Sequence, residues 1–229
     1  LLLLVPITIL VTGERSNFIK GLIIFLLLIT FIDPKKLILK KRNFFIIILI
    51  SFLSLTYLSP NIYIKQTEFF KRIIETKKTK DNFIEESNLF HSFQNIKYFA
   101  HYDVSLKILK EYPLFGVANK NFRHECHNKK YFDEKIKLTK LRCNTHPHQI
   151  HFEMLSEIGL VGYSLFLMLF YFLIKNGIKF YKNSKNLFLL SSLLFFVATI
   201  IPFLPSGSFF TTYSATIFWV NIGLLVQKK

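Results

Sequence analysis

The stretch Asn144-Thr-His-Pro-His-Gln-Ile-His-Phe-Glu-Met-Leu-Ser-Glu-Ile-Gly-Leu-Val-Gly162 decides how this chain is organised. It places three histidines and two carboxylates immediately before a long apolar run. Ionisable side chains are costly at the boundary of a membrane, and where they occur they usually form a site. The stretch therefore predicts a functional site at the point where a membrane span begins.

The composition indicates a membrane protein rather than a soluble one. Hydrophobic residues make up 51% of the 229 residues, and 27 residues are Phe. The apolar residues come in blocks rather than at helical or strand spacing, which is typical of membrane spans. The chain begins Leu-Leu-Leu-Leu without Met, and no signal-peptide pattern follows. We therefore interpret it as the C-terminal part of a longer membrane protein.

The net charge of +16 does not predict nucleic-acid binding. Lys and Arg in short cytoplasmic loops orient membrane proteins, and basic flanks meet anionic lipid, so these two causes explain most of the excess. A nucleic-acid role would require a soluble basic face, which the sequence does not predict. The alternative interpretation is that part of the charge holds an anionic ligand such as a diphosphate.

The apolar blocks predict an all-α polytopic membrane protein, a helical bundle with a periplasmic loop domain. The blocks cover residues 1–11, 17–32, 44–58, 158–174, 187–204 and 213–226. The segments at 33–43 and 175–186 are short and Lys-rich, which predicts cytoplasmic loops. We therefore expect transmembrane helices at 1–58, the first one truncated, a periplasmic loop domain at 59–155, and C-terminal transmembrane helices at 156–229.

The periplasmic segment is too long to be a plain connection, so it should have structure of its own. Residues 68–76 can form a helical segment, and Phe93–Glu111 predicts an amphipathic helix that ends before Tyr112-Pro113. We expect the apolar face of this second helix to pack on the bilayer surface or on the spans. Residues 128–140 are polar and Lys-rich, which predicts a loop.

Cys126 and Cys143 both lie in the periplasmic segment. Two such thiols usually pair in an oxidising compartment, and closing this loop would stabilise the fold by roughly 3 kcal/mol in the loop-entropy model. The disulfide would hold Arg123 near the His-Pro-His segment. The alternative is a zinc site with His124, His127 or His146, although the spacing fits no standard zinc pattern.

Pro147 is expected to open the helix that becomes the fourth span, because Pro favours the first helical position. His148 would then lie in the first turn and share a face with Gly159. Gly159 and Gly162 would allow another helix to approach closely.

His148 is the candidate catalytic residue, because a neutral imidazole at the membrane surface can accept a proton from a substrate hydroxyl near neutral pH. The spacing alone leaves two other interpretations open. His146, His148 and His151 can be interfacial residues that hydrogen-bond backbone or water, or the dense His-x-His-x-x-His pattern can hold a metal.

Several segments resemble the O-antigen ligase family, in the same order along the chain. His148-Gln149, nine residues and then Gly159-Leu160 resemble its signature of His, then Asn, Ser or Gln, nine residues, Gly and an aliphatic residue. Thr12-Gly-Glu-Arg-Ser16 resembles the family's Arg-bearing turn at the outer end of a span. Tyr112-Pro-Leu-Phe-Gly-Val-Ala-Asn-Lys-Asn-Phe-Arg123 resembles its Pro-x-x-Gly-x-Gly-x-x-x-Phe segment. Phe218-Trp219 with Gly223 resembles its last span.

The resemblance implies an inverting glycosyltransferase of the bacterial inner (cytoplasmic) membrane, with its active site facing the periplasm. Ligases of this family join a glycan carried on undecaprenyl diphosphate to lipid A-core. The alternatives within the family are a polysaccharide polymerase and a protein O-oligosaccharyltransferase. The resemblance also implies that no metal and no other cofactor is needed.

The same resemblance implies the roles of individual residues. His148 would activate or orient the acceptor hydroxyl. Arg15 would contact the diphosphate, as would Arg123, because the guanidinium offers a bidentate fork to phosphate oxygens. The alternatives are an interfacial anchor for Arg15 and a plain loop cation for Arg123. The expected supporting residues are His146, Gln149, Gly159 and Glu157, the last as a partner of a nearby cation.

Two positions depart from the family pattern. Ala118 stands where the family has its second Gly, so close backbone approach is less free there. The family often has an Arg near the start of the preceding helix, but Ile96-Lys-Tyr-Phe-Ala-His-Tyr102 contains none. Lys97 and His101 are the candidates to replace it.

A function of another class, a non-catalytic transporter or export subunit, predicts ionisable residues deep inside several spans. The sequence places few there and gathers its charge at the outer surface. That distribution favours the enzyme.

Overall fold

The computed structural model describes residues 15–31, 43, 46, 50, 97–134, 136, 138–202 and 204–226. The chain forms two compact units, residues 1–81 and residues 82–229, and each is described by itself. The expected span at 1–11 and the helical segment at 68–76 lie outside the described residues. So does the span at 44–58, apart from Ile46 and Ile50, which are helical. The domain boundaries stay a prediction.

The first unit contains helix α1, Arg15–Phe31, which matches the second apolar block to within two residues. Its 17 residues are almost all aliphatic or Phe after the first turn. At 1.5 Å per residue this is about 25 Å, slightly less than a hydrocarbon core of about 30 Å. Phe25 and Ile29 are buried.

The described part of the second unit is helical and contains no strand, as the sequence predicts for an all-α protein. Its helices are α2 (Lys97–Glu111), α3 (Phe122–Glu125), α4 (Ile150–Ser184), α5 (Leu187–Thr199) and α6 (Thr212–Val226). Two short 3₁₀ turns, Lys129–Tyr131 and Thr139–Leu141, interrupt the predicted loop.

Helix α2 ends at Glu111, where the sequence predicts it, because the residue before Pro113 is disfavoured in helical conformation. Its apolar face is fully buried at Val104 and Ile108. This face packs on Phe122, on the cysteine segment and on α4, so of the two predicted partners it is protein rather than the bilayer surface.

Helix α4 is the one described helix that is both long enough and apolar enough to cross a membrane, judged by length and composition. It continues to Ser184, so residues 175–184 are helical rather than a loop, and their cytoplasmic location stays a prediction. Lys175, Lys179 and Lys182 lie on the helix, where their unbranched side chains lose little rotamer freedom. Only Lys185 and Asn186 connect α4 to α5.

The apolar halves of α4, α5 and α6 pack around a column of aromatic rings. The ring centroids of Phe170 and Phe196 are 4.3 Å apart, and those of Phe196 and Phe218 are 5.4 Å apart. Stacked and edge-on aromatic pairs add to the stabilisation from burial. The segment between α5 and α6 then folds back onto the start of α4, which is where the histidines lie.

Candidate functional site

His148 lies outside helix α4, so the prediction that Pro147 opens this helix is wrong. The helix begins at Ile150, and His148 adopts the left-handed conformation with φ of 59°. His148 therefore does not share a helical face with Gly159. A left-handed residue breaks the helix and costs about 1–2 kcal/mol for a side chain other than Gly. Such strained residues concentrate at functional sites.

Gln149 is the N-cap of α4. Its side-chain oxygen accepts hydrogen bonds from the backbone N–H groups of His151 (2.7 Å) and Phe152 (3.1 Å). These are N–H groups that the first turn of a helix leaves without a partner. Gln149 is almost fully buried, so its capping fixes where the helix starts and where His148 stands.

The ring of His148 belongs to a cluster of aromatic and imidazole side chains. The ring centroid of His146 is 4.2 Å away, that of His101 is 5.4 Å away, and that of Tyr98 is 5.5 Å away. Tyr98 and His101 come from one turn of α2, and the other two come from the segment before α4. We call these four residues the imidazole cluster.

Asn144 determines which nitrogen of His148 carries the lone pair. The Asn144 Oδ1 accepts the backbone N–H of Thr145 at 2.8 Å, which turns its amide nitrogen Nδ2 toward His148 Nε2, also at 2.8 Å. An amide NH₂ group only donates, so His148 Nε2 accepts and its ring proton in the neutral form is on Nδ1. Nε2 is therefore the basic nitrogen.

His101 is fully buried, and its Nδ1 donates to the carbonyl of Arg142 at 2.9 Å. This bond orients the ring toward the cluster. Of the two residues that could replace the missing family Arg, His101 lies beside His148, while the side chain of Lys97 lies outside the described residues.

Several buried polar atoms near the cluster have no hydrogen-bond partner within the described part of the chain. They are His146 Nε2, Tyr102 Oη and Ser206 Oγ. Burial lowers the pKa of His146 below the usual value, and the neighbouring His101 adds to this shift. An unpaired buried polar group costs about 1–3 kcal/mol, so these atoms would gain from a ligand that hydrogen-bonds them.

The segment between α5 and α6 is bound to the histidine stretch along its length. The backbone N–H of Ser206 donates to the carbonyl of His148 at 2.7 Å. His151 Nε2 donates to the carbonyl of Ile200 at 2.8 Å, and Tyr163 Oη lies 3.0 Å from the other ring nitrogen. The role of His151 is therefore to hold this segment.

Glu153 is a residue of this site that the sequence analysis missed. It is 1% exposed, and its carboxylate accepts hydrogen bonds from the Ser208 hydroxyl and from the Phe209 N–H, the latter at 2.8 Å. A buried carboxylate needs such donors. The available signal was a Glu next to the apolar residues Ile150 and Met154 in the first turns of the helix.

Glu157 is also buried, and the cations of Arg123 and Lys120 act on its carboxylate, as the sequence predicts, while its direct hydrogen bonds come from backbone groups. Its carboxylate accepts the backbone N–H groups of Lys120 (2.7 Å) and Phe122 (3.3 Å). The bonds tie α4 to the segment that precedes α3. Arg123 is exposed on this side of the fold, and its Nε donates to the carbonyl of Lys120 at 3.1 Å.

The helix is interrupted at Gly159, and a turn rather than another helix approaches there. Gly159 has φ of 65°, and the N–H groups after it donate to the turn, Leu160 to Pro113 at 2.8 Å and Val161 to Leu114 at 3.1 Å. At Gly162 the nearest atoms belong to Ile158 of the same helix. The expectation of a close helix–helix approach is therefore wrong at Gly159, where the turn takes this place, and stays a prediction at Gly162.

Cys126 and Cys143 are bonded as a disulfide, with their Cα atoms 5.4 Å apart. Arg142 supports the bridge, because its Nε donates to the carbonyl of Cys126 at 2.9 Å and its Nη2 to that of His127 at 3.2 Å. In a reduced chain the two thiolates and His127 could provide a set of three metal ligands, since their ligand atoms lie within 4.8 Å of one another.

Arg15 is the first residue of α1, in the other compact unit. Its side chain lies outside the described residues. The contact of Arg15 with the diphosphate of the substrate therefore stays a prediction.

A family model described as "O-Antigen ligase" matches residues 1–167. The matched range contains α1, α2, the turn that docks at Gly159 and the whole imidazole cluster. It ends inside α4, so the similarity of Phe218-Trp219 and Gly223 lies beyond it. No curated protein and no solved structure is significantly similar to the chain.

Proposed function

Because this chain belongs to the O-antigen ligase family, we propose that it transfers a glycan from undecaprenyl diphosphate to an acceptor hydroxyl, with lipid A-core as the acceptor. The family consists of integral inner-membrane enzymes that act on lipid-linked glycans. We further propose that this chain crosses the membrane several times and that the imidazole cluster faces the periplasm.

The arrangement of His148 is the observation that supports this proposal best. Its backbone is held in a strained conformation between the α4 cap and Ser206, and its Nε2 is the basic nitrogen. A general base needs both a fixed direction and a free electron pair at the nitrogen that receives the proton. An acceptor hydroxyl that displaces the Asn144 amide would meet this lone pair.

The proposed reaction is a single displacement. The acceptor oxygen bonds to the anomeric carbon, the bond between that carbon and the diphosphate oxygen breaks, and the hydroxyl proton passes to His148 Nε2. Attack from the side opposite the leaving group inverts the configuration and forms no covalent enzyme intermediate. The departing diphosphate gains charge that Arg15 and Arg123 would stabilise, and no metal takes part in the proposal.

The unpaired buried atoms near His148 are the groups we assign to sugar binding. Tyr102 Oη and Ser206 Oγ can each donate and accept a hydrogen bond, which suits sugar hydroxyls. His101 is the residue we propose in place of the family Arg at the start of α2. It would act as a hydrogen-bonding group rather than as a fixed charge.

The test is transfer of a labelled lipid-linked glycan by membranes that contain the full-length protein. His148→Ala should abolish transfer while the membrane level of the protein stays normal. The matched control is His124→Ala, which removes an exposed histidine and should transfer at the parental rate. Full transfer by His148→Ala would exclude His148 as the base.

The surface glycan of a strain that lacks the gene distinguishes the acceptor classes. Unligated lipid-linked polymer is the outcome expected for a ligase. Single repeat units would instead indicate a polymerase, and loss of glycan from proteins would indicate a protein O-oligosaccharyltransferase.

The proposed topology has a separate test. Single cysteines in place of Asn119 and of Lys182 should react with a membrane-impermeant thiol reagent from opposite sides of the membrane. Reaction of both from the same side would contradict the periplasmic assignment.

A further inference from the structure

The turn Tyr112–Val117 presents large apolar side chains to the outside of the protein. Phe115 is 72% exposed and Leu114 is 57% exposed. The turn contains no charged residue, and its first residue, Tyr112, is also exposed. Leaving side chains of this size in water is less favourable than burying them. Adjacent exposed Leu and Phe side chains therefore indicate a surface that is covered in the working protein.

The backbone of this turn is rigidly attached. The Gly116 N–H donates to the carbonyl of Tyr112 at 3.1 Å, and the Val117 N–H donates to that of Ser156 at 3.0 Å. The carbonyls of Pro113 and Leu114 in turn cap the helix after Gly159. The turn thus holds Leu114 and Phe115 in fixed positions beside the first residues of α4 after the interruption.

The surface next to the turn is the outside of α4. Leu160 and Val161, whose N–H groups bind the turn, are both exposed. Exposed apolar residues then follow along the helix as Leu165, Leu167, Met168 and Leu169. In a helix that crosses a membrane, such a surface contacts lipid acyl chains. Leu114 and Phe115 extend this surface at the end where Leu160 and Val161 lie.

The polar rim of the turn fits the level of the lipid headgroups. Lys130 Nζ lies 5.5 Å from the Tyr112 ring centroid and is ion-paired to Glu111 and Glu125. Tyr is enriched at membrane–water interfaces, where its ring meets apolar chains and its hydroxyl meets water.

From these relations we propose that the turn Tyr112–Val117 inserts Leu114 and Phe115 into the outer leaflet of the bilayer that α4 crosses. The insertion fixes the height of the disulfide-bonded segment above the membrane. Since the turn is bonded to Ser156 and Leu160 on either side of Gly159, it also fixes the height of the start of α4. The proposal depends on α4 being a span and not on the chemistry of His148.

The experiment measures the depth of a spin label at position 115. Phe115→Cys is labelled in the full-length protein, reconstituted in vesicles of phosphatidylethanolamine and phosphatidylglycerol. Power saturation then compares collisions with oxygen, which concentrates in acyl chains, and with a water-soluble nickel chelate. We expect high oxygen accessibility and low nickel accessibility. The native cysteines are bonded to each other and do not take the label.

Phe132→Cys is the matched control, because Phe132 is also an exposed aromatic residue, at 42%, but lies outside the turn, with its ring beside the guanidinium of Arg142. Its label should be accessible to the nickel chelate. Equal nickel accessibility at the two positions would overturn the proposal. Protection of position 115 from both reagents would also overturn it, since a protein surface would then cover the turn.

Transfer is assayed on the same samples. If the label at position 115 is exposed to water and glycan transfer is normal, the proposed insertion is excluded and the proposed enzymatic function is retained. Combining Phe115→Cys with His148→Ala should stop transfer without changing the depth of the label.

Discussion

Gly116 and Gly159 face each other so closely that neither can carry a side chain. A Cβ atom on Gly159 would lie 2.4 Å from the carbonyl oxygen of Leu114 and 2.6 Å from the nitrogen of Gly116. A Cβ atom on Gly116 would lie 2.5 Å from the carbonyl carbon of Glu157. Both glycines also have positive φ. The contact joins the Pro-x-x-Gly turn to the final Gly of the His signature, backbone against backbone.

We expect Gly159→Ala to disrupt this junction, because the obstructing atoms belong to the backbone and cannot move aside. Strain from φ adds about 1–2 kcal/mol to the steric cost. The expected result is a large fall in the thermal unfolding temperature of the detergent-solubilised protein, and Gly116→Ala should behave in the same way.

Gly223→Ala is the control for both variants, since among the described residues the added Cβ would meet no atom within 4 Å apart from the backbone of its own helix and its chain neighbours. It should leave the unfolding temperature unchanged or raise it slightly, because Ala favours the interior of a helix by up to about 1 kcal/mol over Gly. Equal unfolding temperatures for Gly159→Ala and Gly223→Ala would contradict the described contact.

The disulfide and zinc interpretations of Cys126 and Cys143 predict different responses. If the two residues form the disulfide, they react with maleimide only after reduction. A chelator then has no effect on the unfolding temperature. Each single Ser variant should be destabilised as much as the double variant, by roughly 3 kcal/mol in the loop-entropy model.

The zinc alternative gives the opposite pattern. Chelation would lower the unfolding temperature, and His127→Ala would destabilise the protein because His127 completes the potential ligand set. Such a result would reassign the two cysteines from a bridge to a metal site.

The sequence predicts those parts of the fold that depend on local signals. The end of α2 follows from Pro113, and α5 and α6 follow from apolar blocks at 187–204 and 213–226. The start of α4 could not be predicted from local signals, because Pro147 signals a helix start. His148, which follows it, adopts a left-handed conformation that single-residue preferences disfavour. The side-chain cap of Gln149 and the bond from Ser206 to the His148 carbonyl together decide this point.

The roles of the carboxylates could not be predicted because their partners are distant in the chain. Glu153 binds the segment at 208–209, and Glu157 binds the N–H groups of Lys120 and Phe122. Ala118 is a more informative case, since it keeps the positive φ (73°) expected of the family Gly that it replaces. The turn therefore retains a backbone conformation that its own residue does not favour.

Glu153→Gln should weaken the attachment of the α5–α6 segment. The Ser208 hydroxyl and the Phe209 N–H both donate to the carboxylate, and an amide offers one accepting oxygen and an NH₂ group that only donates. One buried donor would lose its partner, which costs about 1–3 kcal/mol. We expect a lower unfolding temperature and slower glycan transfer.

The Ser208→Ala variant separates the two bonds of Glu153. It removes the hydroxyl and leaves the Phe209 N–H as a donor, so its loss of stability should be smaller than that of Glu153→Gln. In the double variant the two losses of stability should not add, because both substitutions remove the same hydrogen bond. Full additivity would show that Glu153 and Ser208 act independently.

His146 should make the folded protein sensitive to acid. Burial lowers the pKa of this imidazole below its usual value of 6.5, so the folded chain holds it neutral at a pH where the unfolded chain has begun to protonate it. Below about pH 6.5 the unfolded state therefore binds more protons, and acidification favours unfolding. We expect the unfolding temperature of the parent protein to fall as the pH is lowered from 7.5 to 5.5.

His146→Asn should lose less stability over the same interval, because its side chain does not titrate. His124→Asn replaces an exposed histidine and should retain the parental response to acid. If His146→Asn and the parent lose the same stability between these two pH values, the acid sensitivity comes from another group.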